Sequence, residues 1–364
     1  MTQLPRAPLA SLVALLALPL ACGESGSDPT EEVVTLPTGS EIMRDTVETT
    51  IVPDVQAFSA EVTDMQTDID GFCAAPSEAT LATAQDRWRS MVEAWNRVVP
   101  YNFGPLDNDI IFPNMIFIES MRQRGSDFTQ TVRDGLLRGL EGTDTLDLAY
   151  FERQTFDEVG ILALEVLLFE DSREGNSTVP ADVVADYAAT PRKCEYLQGV
   201  AARLAVNAND VEQGWTTAFG DSGEPFRETM TGDMLEDGTE PVAALLIAMQ
   251  QHLDYVKVRK LEAILDAQLS GNFYPNVLSM LDAMEELLSQ PSEDSFGLFE
   301  RMEATDNDAE VELVRGNFEA ARAAAQAQDR EALTAAIGLI DGNLKREIPD
   351  ALGVELGLTF TDGD

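Results

Sequence analysis

Apolar positions recur along this chain at helical spacing. In APSEATLATAQDRWRSMVEAWNRVV, Trp88, Val92, Trp95 and Val99 fall at i, i+4, i+7 and i+11, one face of a helix. Ser77 stands where it can cap the start of that helix. In CEYLQGVAARLAVNANDVEQGW, the series Leu197, Ala201, Leu204, Ala208, Val211 and Trp215 repeats the spacing. EPVAALLIAMQQHLDYVKVRKLEAIL, FYPNVLSMLDAMEELLSQP and REALTAAIGLIDGNLKREI follow it. Strand-like alternation is scarce. DNDIIFPNMIFIES is rich in β-formers, but Pro113 interrupts it, and the segment is expected to be a loop packed on the helices. The stretch FGDSGEPFRETMTGDMLEDGTEP, residues 219–241, is dense in turn formers and reads as a boundary. The pattern predicts an all-α fold of two packed helical bundles, 41–220 and 240–364.

The first residues stand apart. Arg6 precedes an apolar run from Leu9 to Leu20, too short to span a bilayer as a stable helix. Residues 1–21 therefore read as a signal peptide. Cys22 directly follows a small residue, as expected of a bacterial lipoprotein cleaved before Cys22 and lipidated there; ordinary secretion is the alternative. GESGSDPTEEVVTLPTGS is polar and acidic and completes an expected flexible tether over residues 22–40. Gly23 is not the Asp of a retention signal, so the expected location is the outer membrane, facing the periplasm. Cys73 and Cys194 then remain. Outside the cytoplasm two such thiols are expected to form a disulfide, with two isolated buried thiols as the alternative.

Charge and missing residue types narrow the function. Asp and Glu number 65 against 24 Lys and Arg, a formal charge of −41. Such a surface repels nucleic acid and anionic lipid and favours solubility. His252 is the single histidine, so no multi-imidazole zinc site or HExxH motif exists in the chain. It is expected to be a core or helix-surface residue. No nucleophile elbow, Walker loop or GxGxxG helix opening appears.

The stretch EVGILALEVLLFED places one acid, Glu165, inside an apolar helical run. A buried carboxylate must be paired, protonated or bound to something. Three readings stay open. Glu165 is a ligand for a hard cation such as iron, or a salt bridge to another helix, or an outward-facing residue. Candidate cations for the bridge are Arg122, Arg124, Arg259 and Lys260.

Four stretches together resemble the imelysin-like family. WRSMVEAWNRVVPYNFGPL is similar to its Trp-containing helix ending in Phe-Gly-Pro, here Phe103, Gly104 and Pro105. GILALEVLLF resembles its Gly-x-His-x-x-Glu helix, RKCEYLQGVAARLAVNANDVEQGW its basic-Cys helix, and ALGVELGLTFTDGD its C-terminus. The resemblance implies an all-α, secreted or lipid-anchored bacterial protein linked to iron acquisition. The family takes its name from a reported protease activity. Leu162 stands where the signature has His, which places this chain in a His-less subgroup and removes the imidazole half of a metal site. Gly160, Glu165, Phe103, Gly104 and Pro105 are the ligand-binding candidates, with Glu165 the candidate metal ligand; Gly160 also lets another backbone approach closely, which suits a tight helix crossing as much as a ligand. The function implied is non-enzymatic: an envelope lipoprotein that binds a metal ion or an envelope protein partner in iron acquisition. The alternatives are a metallopeptidase-like hydrolase and a structural interaction module.

Overall fold

A computed structural model describes residues 36–120, 127–173, 175–261, 267–290 and 295–356. The signal peptide, Cys22, most of the tether, Arg122, Arg124 and the DGD ending lie outside the described residues.

The chain folds as α-helices, and no strand occurs among the described residues. In order they are α1 (Gly39–Thr46), α2 (Val52–Ala74), α3 (Glu78–Val98), α4 (Asn114–Ile118), α5 (Thr129–Glu141), α6 (Leu148–Phe151), α7 (Gly160–Phe169) and α8 (Pro180–Ala189). They continue as α9 (Pro191–Thr216), α10 (Phe226–Met230), α11 (Pro241–Tyr255), α12 (Phe273–Leu288), α13 (Leu298–Glu303), α14 (Asp308–Gln326), α15 (Arg330–Lys345) and α16 (Glu347–Leu352). Two wider π turns, Val47–Ile51 and Val256–Leu261, adjoin α2 and α11.

Local chemistry explains several boundaries. Ser77 caps α3 as expected: its Oγ accepts from the Thr80 N–H, and Thr80 returns the bond to the Ser77 N–H. The face predicted from Trp88, Val92, Trp95 and Val99 is buried in full. Its last member lies in a tighter 3₁₀ turn, Val99–Tyr101, because Pro100 cannot continue an α-helix.

Helices α2 and α3, joined by a short turn, pack against each other, and α9 runs along α2. Helix α7 lies against α3, α5 and α9. The later helices α11, α12, α14 and α15 pack together, and α12 also packs on α3. Arg97 of α3 bonds Asp54 of α2 at 2.8 Å and also reaches Glu286 of α12, so one guanidinium ties three helices. Residues Leu36–Asp364 form one compact unit. The 219–241 stretch is packed: Met230 is buried, and the Phe226 ring joins Phe103, Trp215 and Phe219.

DNDIIFPNMIFIES, expected as a packed loop, divides into an exposed loop and the packed helix α4. Ile116 and Ile118 of α4 are buried, but Ile110, Ile111 and Phe112 stand in solvent. The two halves part at Pro113, which is buried and extended and opens α4.

Cys73 and Cys194 are bridged, with their Cα atoms 5.6 Å apart and a separation of 121 in sequence. The bridge joins the end of α2 to the start of α9. In the chain-entropy picture a loop of this length restricts the unfolded chain by about 5 kcal/mol. The Cys73→Ser, Cys194→Ser double variant is therefore expected to unfold at markedly lower urea, with a loss approaching that value in equilibrium denaturation.

Candidate functional site

Helix α7 has no polar face: all ten residues from Gly160 to Phe169 are buried. A helix buried all round leaves its terminal carbonyls without water, so they need protein donors. Side chains from three helices supply them. Gln85 of α3 donates to the Leu168 carbonyl at 2.8 Å, and Tyr187 of α8 donates to the Leu167 carbonyl at 2.9 Å. The Lys193 ammonium of α9 donates to the Glu170 carbonyl just past the end. Near the start, the Trp88 indole donates to the Ile161 carbonyl.

The acids that follow α7 are held as tightly. Arg133 grips both oxygens of Glu170, at 2.6 and 2.7 Å. Lys193 pairs with Asp186 at 2.7 Å, both buried. Burial alone would raise the Asp186 carboxyl; the Lys193 ammonium and two bonds from Ser172 outweigh it and hold the carboxyl below its usual range. Burial also pulls the Lys193 ammonium below its ordinary value, and Asp186 offsets only part of that.

Gly160 opens α7 with φ +81°, a left-handed conformation. A Cβ added there would lie 2.5 Å from the carbonyl oxygens of Phe117 and Ile118. The close backbone approach expected at Gly160 is thus the seat of α4 on the start of α7.

Glu165 is 2% exposed, which removes the outward-facing reading. Its Oε1 accepts from the Ser270 N–H at 2.8 Å, in the loop leading to α12. Leu162, one turn earlier, is core. A second buried acid, Glu119, follows α4 directly. Its Oε2 accepts from the Trp95 indole at 2.8 Å; its Oε1 accepts from the Tyr255 hydroxyl at 3.2 Å and lies 2.7 Å from the Lys260 ammonium. Lys260, a candidate partner for Glu165, thus forms an ion pair with Glu119, while Arg259 is exposed. The π turn Val256–Leu261 presents Lys260 to that acid. Two buried carboxylates therefore join the α4–α7 side of the molecule to the segment running from α11 to α12.

The remaining candidates sit in a packed aromatic cluster. The Phe103 ring meets Tyr101, Trp215 and Phe226 at centroid distances of 6.0–6.3 Å. Gly104 has φ +57°, and a Cβ there would meet the Phe226 ring at 2.3 Å. Pro105 fills the space over Gly214 of α9. His252 is fully buried on α11, its ring 6.0 Å from that of Tyr255.

The described donors to Glu165 and Glu119 are N–H, O–H and ammonium groups. Among the described residues no three His, Cys, Asp or Glu side chains gather into a set able to hold a metal ion. Sequence reasoning passed over Glu119. The signal available was an acid closing the apolar run MIFIE, the same clue that singled out Glu165.

The imelysin family profile matches residues 51–348. Comparison with curated proteins gives no match. Among solved structures the chain is similar to an imelysin-like protein from Psychrobacter arcticum 273-4, with a TM-score of 0.70 at 14% identity. That likeness covers 89% of this chain and all of the other. It is also similar to a candidate iron-regulated protein A precursor from Parabacteroides distasonis ATCC 8503, with a TM-score of 0.66 at 16% identity over 88% of this chain and 97% of that one.

Two stability outcomes follow from this geometry. Gly160→Ala is expected to cost about 3 kcal/mol, since the left-handed backbone and the carbonyl contact both oppose a side chain. Lys260→Met is expected to cost about 3–5 kcal/mol, because it strips the cation from a buried carboxylate. Combined with Glu119→Gln it should cost at least about 1 kcal/mol less than the two single losses added. Urea denaturation of the four proteins checks the coupling.

Proposed function

The chain belongs to the imelysin family, and from that premise we propose that it is a non-enzymatic envelope lipoprotein of iron acquisition that acts by binding a protein partner. The family membership and the likeness to an iron-regulated protein support the iron-related, envelope part of this reading. The sequence around Cys22 supports anchoring by lipid, with the outer membrane as the site.

The observation that carries the binding role is the state of the signature helix. Where a hydrolytic metal centre would need an imidazole beside Glu165, this chain has the buried Leu162. The carboxylate itself accepts a backbone N–H from the facing segment. Glu119, the neighbouring buried acid, is neutralised by Lys260 and further tied by Trp95 and Tyr255. These groups do the work of a latch: they fix α4 and α7 against the α11–α12 segment and so preserve the outer surface. A latch of this kind contributes chiefly by the cost of breaking it, since a buried charge without its partner is strongly unfavourable.

Three measurements together test the reading. Deleting the gene should slow growth under iron limitation, and Cys22→Ser should fail to restore it where the unaltered gene succeeds. Casein cleavage should be absent with or without chelator. Calorimetric titration of the soluble chain with iron, at high salt with excess magnesium to screen the acidic surface, should give only weak, unsaturating heat, equal in Glu165→Ala. Saturable binding near one ion per chain, lost in Glu165→Ala with the fold intact, would replace the latch by a metal site.

A further inference from the structure

Three consecutive large apolar residues are exposed at one place: Ile110 at 102% exposure, Ile111 at 66% and Phe112 at 56%. They form the tip of a short loop between the 3₁₀ turn Gly104–Leu106 and α4. Single exposed apolar side chains are ordinary, but three in a row on a convex tip are not.

The loop is built to hold that tip out. Its two roots, Leu106 and Pro113, are buried. Asn114 closes the roots, donating from its side chain to the Pro105 carbonyl at 3.1 Å and from its N–H to the Asn108 Oδ1 at 2.8 Å. Phe112 leans on Phe117, 6.4 Å between centroids, and Phe117 carries the Arg203 guanidinium. Within the tip, the Asp109 Oδ1 accepts from both the Ile111 and the Phe112 N–H, each at 2.8 Å. Those two donors hold the Asp109 carboxyl below its usual range.

We propose that the Ile110–Ile111–Phe112 tip inserts into the interface of a neutral lipid bilayer and sets the orientation of the folded body on the membrane. Backbone N–H groups entering lipid must already be bonded, and Asp109 meets that condition for Ile111 and Phe112. A pocket on a protein partner imposes no such requirement, because it can supply its own acceptors.

The position of the loop adds to this. The described chain begins at Leu36, and Ser40 bonds Asp233 at 3.0 Å. Phe226, seven residues before Asp233, packs over Gly104 at the root of the loop. One short segment thus touches both the start of the folded body, which the tether precedes, and the base of the tip. Insertion after anchoring is intramolecular, so three apolar side chains suffice where they would be weak alone. The charge of −41 and the exposed Asp107 and Asp109 beside the apolar residues select against anionic lipid. The inference rests on the proposed tethering at a membrane.

The test uses the chain from Gly23 onward with an N-terminal hexahistidine tag, bound to phosphatidylcholine vesicles through a nickel-chelating lipid. A polarity-sensitive fluorophore is placed on Ile111→Cys and, as control, on Leu313→Cys, the native cysteines being bridged. Expected is a blue shift for the label at 111 and its quenching by nitroxide lipid but not by iodide. The label at 313 should stay aqueous, and phosphatidylglycerol in the vesicles should reduce the shift. Aqueous emission at 111 on tethered vesicles would overturn the proposal and leave a protein pocket as the occupant. A blue shift at 111 without vesicles would overturn it in favour of self-association. Because the tag replaces the lipid, this result is independent of Cys22. Anchoring is tested separately, by whether Cys22→Ser moves the full chain out of the membrane fraction.

Discussion

The fold depends on satisfying one helix that has no water-facing side. Helix α7 carries ten buried residues in a row, and burying it releases much of the apolar surface that drives the chain together. The same burial creates the problem that its neighbours solve. Its last carbonyls are answered by Gln85 and Tyr187, its first turn by Trp88, and the chain just beyond it by Lys193 and Arg133. These donors come from α3, α5, α8 and α9. The polar contacts around α7 therefore specify which helices lie beside it, while the apolar contacts provide most of the stabilisation.

Much of this was legible in the sequence, for reasons that differ by residue. The Trp88–Val99 face and the Leu197–Trp215 face are periodic, and periodicity reports directly on which side of a helix is buried. The Cys73–Cys194 bridge followed from redox compartment and from there being two thiols to join. Gly160 was readable because a glycine opening an apolar helix has few purposes other than a close approach. The partners of the buried acids were not readable. Lys260 reaches Glu119 because a π turn places it there, and nothing in VKVRKL announces the extra residue in that turn. Phe103, Gly104 and Pro105 were visible as a motif. Only the fold shows the cluster they enter, since Trp215 and Phe226 lie more than a hundred residues downstream.

The family pattern and the physical reading meet at Glu165 and separate there. The pattern keeps the carboxylate and the glycine while the imidazole position holds leucine. A helix can carry an acid for its connection across the molecule with no imidazole beside it. Here the acid faces a backbone N–H, and a second acid nearby has taken a lysine, a tryptophan and a tyrosine as donors. Such a site ties segments of the interior together, and it moves attention from the interior to the surface of the molecule.

The arrangement of helix partners also bears on how the molecule is assembled. Helix α3 packs on α2, which precedes it at once, but also on α7, some eighty residues later, and on α12, nearly two hundred later. A chain emerging from its N-terminus presents the Trp88–Trp95 face long before either of those partners exists. Compaction must wait for distant contacts, and a sticky surface persists meanwhile. The high density of like charge then acquires a role before the native state is reached: mutual repulsion keeps half-made molecules apart while their apolar faces await cover.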